Sequence, residues 1–187
     1  YLPSREVGVA ELPKKRGVRA KTDPGKGTVF VIPLPDGGGT VGQVVEVYKG
    51  TTLYVTVLAI RWGAGERMPE VMSALGQADS VLYGNTFDAK IMNGDWPVLG
   101  VGLVDHSKHP LPNYRVDMGG HTLVETFDAS RRRPLQDGEF EKVPLRRTLS
   151  PMRFQDITAA VWGLEPWDSA YNDMRPTHVR IASSVVV

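Results

Sequence analysis

"TVFVIPLPDGGGTVGQVVEVY", residues 28–48, decides the fold class. "TVFVIPL" is a short apolar run with β-branched residues, which favours a strand. Pro33 has no N–H to give to a ladder, so this strand is expected to lie at a sheet edge or to end there. "PDGGG" supplies residues that tolerate positive φ and closes a turn. "TVGQVVEVY" then alternates through Val41, Gln43, Val45 and Val47, as a second strand should. "TTLYVTVLAIRW" (51–62) is the most β-prone stretch of the chain and makes a third. Three strands joined by short turns form an antiparallel meander.

Further along, "ERMPEVMSALGQ" (66–77) places Met68, Val71, Met72 and Leu75 at helical spacing, a stripe that reads as core. "SVLYGNTF", "AKIMNGDWPVLGVG" and "HTLVETFD" read as further strands, with Asn93-Gly94 as a hairpin turn. Residues 128–148 are charged and punctuated by proline, and read as surface loop. "LSPMRFQDITAAVWGL" opens a helix with Ser150 as N-cap and Pro151 at the first helical position. Phe154, Ile157, Val161 and Trp162 are its apolar stripe, and Gly163 stops it. The β-branched clusters at the end suggest a last strand. These elements make an α+β fold: a mainly antiparallel twisted sheet or partly open barrel that starts with a β-meander, with two or three helices. Residues 1–27, with Lys14, Lys15, Arg16, Arg19, Lys21 and Lys26, form a basic N-terminal arm or extension, and 28–187 a single domain.

Composition narrows the function classes. Of 187 residues, 41% are hydrophobic, enough for a substantial core. The 22 basic and 21 acidic residues leave a net charge of +1, which argues against both a dedicated nucleic-acid binder and an acidic mimic of nucleic acid. Without cysteine there are no disulfides, thiol nucleophiles or thiolate metal sites. No apolar run reaches the ~18–20 residues that span a bilayer. A cytoplasmic protein is the expectation, with no membrane partner.

Sites of chemistry are sparse. "DPGKGT" (23–28) is not a phosphate loop, because Lys26 precedes Gly27 and a strand follows. "DHSKHP" (105–110) gathers Asp105, His106 and His109, but prolines break the segment and it reads as a polar surface loop. Serines 73, 80, 107 and 130 lack a nucleophile-elbow context. Asp137, Glu139 and Glu141 alternate along a loop and read as solvation. Catalytic, cofactor and metal residues are therefore all read as none. The candidates for partner contact are Arg131, Arg132 and Arg133, whose guanidinium groups suit phosphates or carboxylates, and Trp62 and Trp167, the tryptophans best placed for exposure. Trp96, after a tight turn at Gly94, and Trp162, on the helix stripe, read as structural.

Three signatures in order, "GTVFVIPLPDGGGTVGQVVEV", "IMNGDWPVLG" with "PLPNY" after it, and "VWGLEPWDSAYNDMRP", resemble the immunity protein 26 family of bacterial polymorphic toxin systems over about residues 27–176. The resemblance implies an α+β protein with a characteristic tryptophan at Trp96. It also implies a non-enzymatic antitoxin that binds a cognate toxin domain, as a monomer or weak homodimer. Two alternatives stay open. One is a nucleic-acid-binding β-barrel-like module using the basic arm and the arginine cluster. The other is an enzyme whose site no motif reveals.

Overall fold

The computed structural model describes residues 23–63 and 67–187. Most of the basic arm lies outside these residues. Strands β1 (Thr28–Pro33), β2 (Gly39–Tyr48), β3 (Thr52–Trp62) and β4 (Ser80–Phe87) form an antiparallel meander. The sheet is completed by β5 (Val98–Val101) beside β1 and by β9 (Thr148–Leu149), parallel to β4, in the order β5-β1-β2-β3-β4-β9. A second sheet runs β6 (Tyr114–Met118), β7 (His121–Glu125), β8 (Arg132–Pro134). Neither closes into a barrel. The helices are α1 (Met68–Ala74), α2 (Ala89–Met92), α3 (Pro151–Val161) and α4 (Pro176–Ser184), with a 3-10 turn at Ser169–Met174.

Alternation along the central strands gives the large sheet two buried faces. Phe30, Ile32, Val44, Val55 and Leu82 point to one, where Trp96, Phe154 and Ile157 cover them. Val29, Val41 and Leu58 point to the other under Val71 of α1 and Leu75 at its C-cap. Beside them Val45, Tyr54 and Tyr83 meet Tyr114, Phe127 and Val179. The link from β4 to β5 joins opposite ends of this part of the sheet, so it must cross a face, and it carries Trp96 into the first core. Gly84 is required where the α3 layer comes closest, since a Cβ there would meet Met174 Cε at 2.6 Å and Phe154 Cε2 at 2.9 Å.

Several sequence expectations are corrected. "AKIM" is α2 and not a strand, and Asn93-Gly94 ends that helix instead of turning a hairpin. Gly94 takes φ 76° and its N–H donates to Ile91 O at 3.0 Å, an ordinary helix stop. The terminal strand is α4: Pro176 sits in its first turn, and Val179 and Ala182 are buried three residues apart, while the closing valines follow the helix. The expectation for Pro33 is met in its second form: β1 is interior, flanked by β5 and β2, and ends at Pro33. Residues 128–148 are more than surface loop, for they hold β8 and the buried Val143 and Pro144. His109 is not on the surface either; it is 5% exposed.

Candidate functional site

The segment after α3 builds a cleft. Ser150 Oγ accepts from Arg153 N at 3.2 Å and starts the helix. Phe154, Ile157, Thr158 and Ala159 are buried, which leaves Arg153, Asp156 and Ala160 on the outer side. Gly163, at φ 74°, turns the chain back over the helix end. Asp168 Oδ1 then accepts from Ala170 N at 2.9 Å and starts the 3-10 turn.

This reversal sets two aromatic rings against the helix. Trp167 Nε1 donates to Asn172 Oδ1 at 2.8 Å, and the Arg175 guanidinium lies 3.8 Å from the indole centroid. Tyr171 has Arg147 at 4.9 Å and Arg153 at 5.0 Å from its ring centre, and its hydroxyl accepts from Arg153 Nε at 2.9 Å. Such contacts order aromatic and arginine side chains together. Arg147 also pairs with Asp173, whose carboxyl burial pushes up while Arg147 works against the shift. The W-x-x-x-Y-N spacing thus fixes one wall.

Between this wall and α3 lies a cleft of about 290 Å³. Ile157, Ala160, Trp167 and Tyr171 give it an apolar and aromatic lining, and Asp156, Glu165 and Asp168 meet one guanidinium, Arg153. Arg153 is already engaged, with Nη2 3.7 Å from Asp168 and Nε on Tyr171. Among the described residues Asp156 and Glu165 have no ion-pair partner. Such a cleft suits a cationic side chain with an aliphatic stem, which would find both carboxylates and apolar surface.

The other candidates from sequence lie apart from it. Trp62 is half-buried at the end of β3, packed against the cluster of Val29, Val41 and Leu58 on the far face of the sheet. Arg132 Nε donates to Glu125 Oε2 at 2.7 Å, and Glu125 is 2% exposed and also bound by Arg146. Arg133 forks onto Glu139 with two bonds of 2.7 Å and donates to Val186 O at 2.7 and 2.8 Å. The Arg133 hydrogen bond is the main reason the Glu139 pKa falls to about 2, so this carboxylate is a structural partner and not a solvating group. Arg131 alone of the three is exposed with no side-chain partner among the described residues, and it lines a second groove beside β2. Trp96 is fully buried, stacked on Phe30 at 5.5 Å with the rings 1° from parallel, and Nε1 donates to Gln155 Oε1 at 3.2 Å.

Sequence reasoning named Trp167 but missed Tyr171, Asp156 and Glu165. The useful signal was the spacing of Asp156 and Ala160 opposite the apolar stripe, which marks an outer helix face next to a Pro-flanked tryptophan. Among the described residues no group of three His, Asp or Glu side chains could hold a metal ion, and no helix is long and apolar enough to cross a membrane. The chain matches no known family model, no curated protein and no solved structure.

Proposed function

We propose that this chain is a non-enzymatic immunity protein of a bacterial polymorphic toxin system, which binds a cognate toxin domain in the cytoplasm and neutralises it. The observation that carries the reading is the cleft between α3 and Trp167. The last of the three signatures on which the resemblance rests, "VWGLEPWDSAYNDMRP", is the segment that builds this cleft. A rigid aromatic in a partly desolvated pocket, ringed by carboxylates, is what an interface hot spot needs. Neutralisation then follows from coverage. A stable inhibitor buries about 1,600 Å² in total, and an anchor in this cleft would orient the rest.

The nucleic-acid alternative loses support from the arginine cluster, because Arg132 and Arg133 are committed to Glu125 and Glu139. Of that cluster, Arg131 alone is left to meet a phosphate, and one cation releases few counterions.

The test is co-purification of the tagged chain with the product of its neighbouring gene, with growth measured when that neighbour is expressed alone and together with this chain. A tight complex, and toxicity that this chain relieves, is the expected result. Trp167→Ala with Glu165→Lys should abolish rescue while the protein stays folded. A harmless neighbour that does not bind would overturn the reading.

A further inference from the structure

A second groove, of about 590 Å³, lies between the turn that joins β2 to β3 and the loop at 126–131. It is separate from the Trp167 cleft and shares no residue with it. Glu46, Tyr48 and Lys49 form one wall, and Phe127, Asp128 and Arg131 the other. Among the described residues two non-glycines take a left-handed φ, and they flank this groove: Lys49 at 49° and Ala129 at 59°. Each lies in a tight hairpin connection, Lys49 between β2 and β3 and Ala129 between β7 and β8, where the turn itself calls for a positive φ. The Lys49 ammonium lies 5.1 Å from the Tyr48 ring centre, at the mouth of the groove.

The groove is lined by two carboxylates, Glu46 and Asp128, and two cations, Lys49 and Arg131, which are not paired with one another. Glu46 is neutralised, with Lys26 Nζ at 3.0 Å and His106 Nε2 at 3.6 Å. Asp128 is turned into its own loop, where Oδ1 accepts from Thr126 Oγ1 at 2.6 Å, Ser130 Oγ at 2.8 Å and Ser130 N at 3.1 Å. These bonds, Thr126 first, lower its pKa to about 2, so Asp128 stays ionised while its Oδ1 is committed within its own loop. Lys49 and Arg131 have no carboxylate partner among the described residues. Leu111 adds apolar surface between them, and Asn113 Nδ2 is held by Val185 O at 2.6 Å.

We propose that this groove binds an acidic, extended segment of a partner protein, its carboxylates paired with Lys49 and Arg131. Single-stranded nucleic acid fits less well, because it needs an open aromatic face on which a base can stack. The Tyr48 ring already carries Lys49 and, at 4.3 Å, Arg146, while Phe127 is 5% exposed and edge-on to Tyr48 at 6.1 Å. The inference goes beyond the toxin reading and does not need it.

The test uses the full chain and a capped hexaglutamate peptide, followed by amide NMR at low salt. Shifts confined to Lys49, Leu111, Asn113 and 126–131 are expected. The double variant K49E/R131E should bind at least about tenfold more weakly, as loss of two charge pairs predicts. Lys49→Gly relieves the strained φ, so its melting temperature should rise while its affinity falls. That opposition separates a held binding group from a structural one. Three results would overturn the proposal: no shifts, shifts unchanged in the double variant, or a stronger response of the same amides to hexathymidylate. Shifts that depend on protein concentration without peptide would overturn it too, by assigning the groove to a second copy of this chain. Since no toxin enters the experiment, its failure leaves the Trp167 reading untouched, and a failed rescue leaves this groove untouched.

Discussion

The two faces of the large sheet are buried by different chemistry. On the first, Phe30, Val55, Leu82, Phe154 and Trp96 pack side to side, and the buried indole N–H of Trp96 meets Gln155. Gln155 Oε1 also accepts from Lys90 Nζ at 2.9 Å, and Gln155 Nε2 donates to Pro33 O at 2.9 Å. One amide thus ties α2, α3 and the end of β1 together. On the second face the large side chains are tyrosines with hydroxyls to satisfy. Tyr54 donates to Pro110 O at 3.3 Å, Tyr83 donates to Lys108 O at 3.2 Å and lies 3.1 Å from His109 Nδ1, and Tyr114 accepts from Asn85 Nδ2 at 3.0 Å. The satisfaction there is incomplete: Asn85 Oδ1, Arg115 Nε, Arg146 Nη1 and His178 Nε2 are buried without a protein partner among the described residues. A cavity of about 30 Å³ beside Asn85 and Tyr114 is large enough for one water. The first face holds the fold by area. The second does so too under α1, where Val29, Val41, Leu58, Val71 and Leu75 cluster, but over Tyr54, Tyr83 and Tyr114 a polar network aligns the small sheet and the 104–113 segment on the large one.

If this contrast is right, the largest loss comes from the first face. Trp96→Ala empties a fully buried indole site and should cost about 3–5 kcal/mol, read as a lower midpoint in denaturant with little change in slope. A loss under about 1 kcal/mol would mean that the crossing link is not part of the core. On the second face Tyr114→Phe removes no area but leaves Asn85 Nδ2 with only a weak bond to Arg147 O at 3.4 Å. About 1–3 kcal/mol is expected, the cost of an unmet buried donor. The double variant Asn85→Leu, Tyr114→Phe should recover part of that loss. If the two single changes simply add, the pair is not coupled and the network view fails.

How legible these faces were in the sequence follows from their chemistry. Alternation exposed the meander, and the Ser-Pro start of α3 was readable because N-caps and helical prolines act locally. α4 was misread because three consecutive valines outweighed Pro176, while the deciding contacts of Val179 and Ala182 are tertiary. Asn93-Gly94 misled for a related reason, since a left-handed glycine serves a helix stop as readily as a hairpin. Trp167 was visible as a proline-flanked aromatic. Its cleft was not, because Asp156 and Glu165 reach it from either side of a helix end. The arginine run was the most conspicuous feature and the least informative, since Glu125 on β7 and Glu139 in the loop after β8 engage two of its three members.

The smallest effect sharpens the comparison most, because it titrates the second face alone. Burial lowers the pKa of His109, with Asp105 opposing and Lys108 and His106 adding to the shift. Ser80 Oγ lies 3.2 Å from its Nδ1, and Thr56 donates to Ser80 at 2.8 Å, so the ring closes a chain of hydroxyls on β3 and β4. The folded state therefore favours neutral imidazole, whereas the unfolded chain takes up a proton near pH 6.5. Below that pH the unfolded state holds more protons. Stability present above pH 6.5 is then lost as pH falls towards the folded pKa, with a slope no steeper than about 1.4 kcal/mol per pH unit. Melting temperature should drop between pH 7 and pH 5 in the wild type and stay nearly level in His109→Gln, which keeps a polar group but cannot take the charge. Asp173 acts in the opposite sense at lower pH: its raised folded pKa makes its contribution fade as pH rises through it. Glu139 is lowered, so its contribution is lost only as pH falls from about 4.5 towards about 2, and both variants should share these acid limbs. Were His109→Gln to track the wild type between pH 7 and pH 5, the polar seam over Tyr83 would be a bystander, and the second face would hold by area like the first.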